Sequence, residues 1–473
     1  MRKIVFIFNF LSAFISLEAQ SELWGLTSSG GINNTGVIFK TDSSGNFYSP
    51  VYNFSSVNSD GIYPVGTLLS ASDGFLYGLT WDGGSDNSGV LYQYDRFNNS
   101  LIQKIDFNRV LNGAHANGGL MQASDGMIYG LTSLGGTYDA GVLFQYNPAT
   151  NIFTKKVDFG ISGGLNGMNP DGQLIEFNGL LYGLTTGGGV GGGVLFEYNP
   201  VTNIISNKFL FNQQSGIHPN GSLLLASDGK FYGLTEFGGS STSNNGVLFQ
   251  YDLANNIYSN LVTFDGVNKG DGPMGSLIQA LDGMLYGLTD RGGIYNFGVL
   301  FQYDITSNTF TKKVDFDGAL LGSNPKGTLF QSSDGNLYGL TTTGGLNNIG
   351  TIFKYDFNTN TYNKKIDFNG INGSSPAFSS LIEVNSSVTN FQENKMISNF
   401  SFYPNPNNGT FTIESKSKSQ ITITNLLGEI VLNQLMEKGK QDLSIQSCSD
   451  GIYFVNITDD KGIITSKKII VNK

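Results

Sequence analysis

The sequence predicts an all-β fold: a seven-bladed β-propeller of four-stranded blades, followed by a small β-sandwich. Three observations predict it. A word made of an aromatic residue and Gly-Leu-Thr recurs seven times at near-constant spacing. Short apolar runs end in Gly, Asn, Asp or Ser, the pattern of strands joined by turns. No stretch beyond the first residues carries the periodicity of an amphipathic helix.

The aromatic of the word falls at Trp24, Tyr77, Tyr129, Tyr182, Tyr232, Tyr286 and Tyr338, with successive gaps of 53, 52, 53, 50, 54 and 52 residues. A Gly-Gly pair begins six residues after each aromatic, and a further glycine opens a run such as GVLFQY. Repetition at this period marks a repeat architecture. Each unit divides into four strand candidates. In the fifth copy these are 221–227, 230–237, 246–252 and 257–264. Ser-Asp-Gly joins the first pair, Gly-Gly with polar residues the second, and an Asn-rich segment the third. Four antiparallel strands in about 50 residues is the size of one propeller blade. Ringing the blades buries both faces of each sheet.

The ends of the array predict closure. The run SELWGLT is a second strand with no first strand before it, and SSPAFSSLIEV (374–384) is a first strand with no second after it. Pairing residues 378–384 with the N-terminal run completes blade one and removes two open edges.

Composition narrows the function classes. The 473-residue chain has a formal net charge of −10 and no basic run, which argues against nucleic acid or anionic membrane as a partner. One cysteine, Cys448, excludes an intrachain disulfide and a cysteine-pair metal site. Residues 1–20 read as a secretory signal peptide: Arg2 and Lys3, an apolar stretch from Ile4 to Leu17, and Ala19 near the cut. No other segment is apolar enough to cross a bilayer as a helix, so the mature chain is expected to lack a transmembrane segment.

The repeat resembles kelch-type blades in length, in its Gly-Gly pair and in its aromatic third strand. It is more similar to the bacterial GloVer repeat, whose units carry LYGLT, Gly-Gly and GVLF segments, across about residues 21–384. That resemblance implies a propeller-like extracellular array and brings no catalytic residue.

The tail differs. After a linker-like segment, 386–398, come Tyr403-Pro404-Asn405-Pro406, a stretch ending at Gly428, then Gly451-Ile452-Tyr453 and a basic end with Lys467 and Lys468. Residues 399–473 resemble the C-terminal sorting domain of type IX (Por) secretion. The resemblance implies a small β-sandwich, export across the outer membrane, and the secretion machinery as a partner. The expected division is 1–20 signal peptide, 21–385 propeller, 386–398 linker and 399–473 sorting domain.

Chemistry is sparse. GGGVGGG (187–193) lacks the Lys-Ser/Thr and the helix of a phosphate loop and reads as a hairpin. The repeated Asp-Gly reads as a turn, since a calcium loop needs several oxygen ligands together. No G-x-S-x-G lies in a strand–turn–helix context. Glu176, Glu197 and Glu236 fall at three different repeat offsets, which disfavours a glycosidase pair. No catalytic residue, cofactor or metal is expected.

Function is therefore sought where the copies differ. Three positions before the glycine of each first strand, the ring reads Tyr63, His115, Asn169, His218, Gly272 and Asn324, with Ser375 in blade one. The loops between second and third strands add Trp81, Asp82, Tyr138, Asp139, Glu236, Phe237, Asp290, Arg291, Tyr295 and Phe297. Aromatics beside carboxylates suit sugar or peptide contact. The expected protein is a secreted, monomeric, non-catalytic binding module for a glycan, protein or surface component. A hydrolase or lyase on the same face, or a surface coat, are the competing readings.

Overall fold

The second and third strands of each repeat are apolar toward both faces, and this decides where they sit. In blade five, Phe231–Thr235 is buried at every position, and Val247–Asp252 is buried except at Gln250 and Asp252. The fourth strand, Ile257–Thr263, is mostly half-buried, with Ile257 and Asn260 exposed. Burial thus falls from the middle of the blade to its rim, as expected for a sheet sandwiched between neighbours.

The computed structural model describes residues 21–55, 60–240, 244–385, 400–404, 407–415, 418–425, 430–459 and 464–472. The expected signal peptide, the linker, Asn405, Pro406 and Gly428 lie outside them, and Lys467 and Lys468 are described as strand backbone only. The chain divides into two units, residues 1–386 and 387–473.

The first unit holds seven four-stranded antiparallel sheets, one per repeat. Its one helix among the described residues is a single turn, Ile161–Gly164. Blade one is closed from both ends of the array: Ser21 pairs with Asn385 and Trp24 with Ile382. The paired stretch is Ile382–Asn385, so residues 378–381 of the expected range lie outside this ladder. They lie between this ladder and an isolated bridge from Ser29 to Ser374. First strands run nine and ten residues in blades two and four, but only two paired residues in blades three, five, six and seven.

The Asp, the Tyr, the Gly after it and the Thr of the repeated word each have a bond or a contact. In blade six, Asp282 Oδ1 accepts from Met284 N (3.0 Å) and Oδ2 from the Tyr286 hydroxyl (2.8 Å), which itself accepts from Gln302 Nε2 (2.8 Å). The same Asp–Tyr–Gln relay stands in blades two, three and five. Burial first, and the carboxylate second, hold these tyrosines well above their ordinary pKa. The glycine of Tyr-Gly-Leu-Thr leaves room for the third-strand phenylalanine: a Cβ on Gly233 would lie 2.4 Å from Phe249 Cζ. The threonine brackets the next join, with Thr235 Oγ1 accepting from Val247 N (3.1 Å) and donating to Phe237 O (3.0 Å).

Three blades keep the carboxylate but change its setting. Blade four has a two-residue Asn178-Gly179 turn, with Asn178 at φ 53°, and Tyr182 donates instead to Glu197, which stands where other blades have Gln. Blade seven keeps Asp334 and replaces Gln with Lys354, 3.0 Å from that carboxylate. Blade one has Trp24, whose indole donates to Glu22 (3.1 Å), with Lys40 beside it (2.7 Å). A buried donor left without an acceptor costs about 1–3 kcal/mol, which is why no blade omits the acid.

The aromatics then pack between blades. Tyr77 of blade two meets Tyr146 of blade three at 6.1 Å, and Tyr286 meets Tyr355 of blade seven at 6.3 Å. Each core cluster of the propeller joins two adjacent blades; one joins Tyr232, Leu248 and Phe264 to Leu285, Phe301 and Tyr303.

The second unit is a β-sandwich. A three-stranded sheet (Phe400–Tyr403, Thr410–Ser415, Gly439–Ser444) faces a four-stranded one centred on Ser419–Thr424 and Gly451–Asp459. Phe411, Ile413, Ile421, Ile423, Val455 and Ile469 form its core. Tyr453 is buried there and donates to Ser449 O (2.7 Å), while Tyr403 is exposed with Lys440 Nζ 5.8 Å from its ring.

Candidate functional site: the loop end of the propeller

Antiparallel pairing puts the start of each first strand, the end of each second strand and the start of each third strand at one end of the blades. All propeller residues singled out by their variation lie at that end.

The ring position has a backbone cause. Tyr63, His115, Asn169, His218, Asn324 and Ser375 take φ between 48° and 56°, and Gly272 takes 63°. This left-handed conformation enriches Gly, Asn and His several-fold, so the residue types of the ring follow in part from the turn. The turn exists to join blades. Each ring residue donates its N–H to a carbonyl of the preceding blade, from Tyr63 to Thr35 (2.9 Å) round to Ser375 to Ile349 (2.9 Å). Three side chains repeat the reach: Asn169 to Ser133 O (3.0 Å), Asn324 to Asp290 O (2.9 Å) and His115 Nδ1 against Trp81 O (3.0 Å). His218 makes an edge contact with Phe237 at 5.6 Å, and Tyr63 is exposed.

The loop residues gather into two groups. On blades two and three, the half-buried Trp81 lies 5.1 Å from the His115 ring, and Asp82 Oδ1 is 3.1 Å from His115 Nδ1. On blades five and six, the Arg291 guanidinium lies 3.6 Å from Asp271, 3.9 Å from Glu236 and 4.0 Å from Asp290, with the Phe237 ring at 5.6 Å. Glu236 also accepts from Asn220 Nδ2 (2.7 Å). Asp290 is 8% exposed and its Oδ1 has no hydrogen-bond partner. Burial raises its pKa, against the pull of Lys326 and Arg291. Asp139 is clamped by both arms of Arg109 (2.8 and 2.9 Å), which holds it below the ordinary carboxylate range, while Tyr138, Tyr295 and Phe297 are exposed.

The three glutamates stay apart in their bonding. Glu176 holds Ser124, Glu197 holds Tyr182, and Glu236 holds Asn220. Among the described residues no group of three His, Cys, Asp or Glu is placed to hold a metal ion.

Inside the ring lies a channel of ≈ 420 Å³, lined by the first strands of all seven blades. Its wall is set by glycines that touch blade to blade: a Cβ on Gly118 would lie 1.8 Å from Gly172 O. Lys326 and Phe378 line this channel, and sequence reasoning passed over both. The signal was the residue before that glycine, which reads Val65, Asn117, Asp171, Asn220, Met274 and Lys326 around the ring.

Two stretches, 12–192 and 186–400, match the Gloeobacter/Verrucomicrobia repeat. The chain belongs to this repeat family. Residues 401–472 match the secretion system C-terminal sorting domain, so the protein is exported by type IX secretion to the cell surface or the extracellular space. No curated protein matches the chain. Among solved structures it is similar to two putative 6-phosphogluconolactonases. One, from Bacteroides uniformis, is 14% identical, with TM-score 0.50 over 76% of this chain and 99% of that one. The other, from Bacteroides fragilis, is 17% identical, with TM-score 0.51 over 76% and 98%. These likenesses show the fold of the repeat-family protein alone. No helix among its described residues is long and apolar enough to cross a membrane.

Proposed function

We propose that the propeller of this exported protein is a non-catalytic binding module whose ligand, a glycan, meets the loop end. One observation carries the reading. At this end the side chains change from blade to blade, and in two places they set aromatic rings beside carboxylates: Trp81 with Asp82 and His115, Phe237 with Glu236 and Arg291. Apolar sugar faces stack on such rings and sugar hydroxyls pair with such acids. The separate engagement of Glu176, Glu197 and Glu236 supports binding over glycoside hydrolysis, which needs two carboxyls flanking one bond. Tyr63, Asn169, His218, Asp290 and Asn324 complete the proposed face, and the sorting sandwich is its route outward.

A glycan array probed with the full chain tests this. Specific signals that Trp81→Ala or Arg291→Gln lowers about tenfold are the expected result, the loss of one desolvated contact. A blank array, or signals that neither substitution changes, would overturn it.

A further inference from the structure

The channel has a chemistry of its own, and it does not depend on the loop-end reading. Its wall presents donors. Ser222, Ser276 and Thr328, at one position in blades five, six and seven, each accept a backbone N–H from the preceding blade: Gln173 N to Ser222 (2.7 Å), Ser222 N to Ser276 (2.7 Å) and Ser276 N to Thr328 (3.1 Å). Lone pairs on these hydroxyls are thereby engaged, and each hydroxyl proton stays free to point into the channel. Lys326 is the one ionised side chain in the lining. Among the described residues its ammonium has no ion pair within 4 Å; it stands 5.8 Å from the Phe378 ring. Asp290 feels its charge from outside the lining.

Phe378 is the second departure. Blades two to seven have glycine here, at Gly66, Gly118, Gly172, Gly221, Gly275 and Gly327, and blade one has Phe378 at φ 54°. A bulky residue in the left-handed region is an outlier that its surroundings must hold in place, and such outliers cluster at ligand sites. Here the strain gives an otherwise smooth glycine wall one aromatic surface, beside its one cation. The volume falls in the range of small-molecule sites.

The geometry points to an oxyanion site in the channel: Lys326 and the hydroxyls of Ser222, Ser276 and Thr328 bind the carboxylate or phosphate of a small hydroxylated molecule, whose apolar edge lies on Phe378. The donors fit the head group, and Gln173 in the same wall, its Nε2 held by Leu120 O (2.7 Å), offers its Oε1 as an acceptor for a hydroxyl.

Calorimetric titration of the full chain with galacturonate, galactose and inorganic phosphate tests this. Galacturonate is expected to saturate, galactose to bind at least about tenfold more weakly, and Lys326→Met and Lys326→Gln each to lose about tenfold. Lys326→Arg should stay within about threefold, since it keeps the charge. Saturation by phosphate with the same Lys326 dependence also supports the site and identifies a bare phosphate head. No saturation by either anion below about 10 mM overturns it, as does equal binding of galactose or indifference to Lys326→Met. Thermal melts confirm that the variants fold. Unlike Trp81→Ala and Arg291→Gln, these substitutions should leave glycan-array signals unchanged, so the two readings fail separately.

Discussion

The Asp–Tyr–Gln relay predicts a reversal of sign between two backgrounds. In blade six, Asp282→Ala removes the acceptor of the buried Tyr286 hydroxyl at 2.8 Å and the turn bond to Met284 N at 3.0 Å. A hydrogen bond to a charged group is worth about 1.5–3 kcal/mol and an ordinary one about 0.5–1.5, so the loss should be about 2–4 kcal/mol. For a unit the size of residues 21–385 the unfolding entropy is roughly 0.8 kcal/mol per degree, so Tm should fall by about 3–5 °C. Gln302→Glu has opposite effects depending on Asp282. With Asp282 present, two carboxylates flank one hydroxyl that can donate only once, and their repulsion at about 5.5 Å and an effective dielectric of about 20 is about 3 kcal/mol. With Asp282 absent, the introduced carboxylate becomes the acceptor, as Glu197 is for Tyr182 in blade four. Gln302→Glu alone should therefore destabilise, and should restore about 1–2 kcal/mol to Asp282→Ala. Denaturant midpoints of the four proteins at pH 7 complete the cycle. Additive effects, with Gln302→Glu shifting both backgrounds alike, would refute the idea that one acid per blade is what the aromatic requires.

Two further outcomes follow from the site. At the ring position, Asn324→Ala should lose the bond to Asp290 O and the bond from Thr343 Oγ1, about 1–3 kcal/mol together, while Asn324→Gly loses the same bonds but relieves the strain of a Cβ at φ 54° and should be about 1 kcal/mol milder; a smaller loss for Ala than for Gly in urea titrations would contradict the backbone account. Asp171 supplies the pH test: burial raises its carboxyl to about 6, against hydrogen bonds from Ser133 and Asn117. Its folded pKa exceeds the unfolded one, so its contribution to stability is full below about pH 4 and is lost as pH rises through about 6. The stability difference between wild type and Asp171→Asn should therefore shift in favour of the variant across that window, and a difference independent of pH would count against it.

The fold was legible because its signals are local and repeated. A word such as DGKFYGLTEFGG marks a turn, a strand and a join wherever it stands, and the unpaired runs at the two ends of the array announce the closure seen between Ser21–Trp24 and Ile382–Asn385. The relay was half legible. Asp-Gly reads as a turn, but that the same aspartate reaches the tyrosine four residues on emerges only from the strand geometry. The exchange in blade four was written in plain letters, with Asn178 in the turn and Glu197 in place of Gln, yet nothing in a single repeat says that the two changes share one hydroxyl. The channel was not legible at all. Phe378 and Ser222 lie 52 and 104 positions from Lys326 along the chain, and only closure of the ring brings them to one wall.

That pattern changes where function should be looked for in such an array. Variation alone selected the ring of Tyr63, His115, Asn169, His218 and Asn324, but the ring varies within limits set by its left-handed backbone, and three of its side chains spend themselves on the neighbouring blade. A better criterion is unspent bonding capacity. Among the described residues, every blade satisfies its aromatic donor and its ring N–H. Against that background three groups near the loop end and the channel have capacity to spare: the unpaired Oδ1 of Asp290, the Arg291 guanidinium with its acids no nearer than 3.6 Å, and the Lys326 ammonium in the channel. A buried polar group without a partner is costly, and selection that completes seven equivalent bonds has had the means to complete these. Their incompleteness is most economically explained by a ligand that completes them, which points to blades five to seven and the channel beside them, as well as to the Trp81 group of blades two and three.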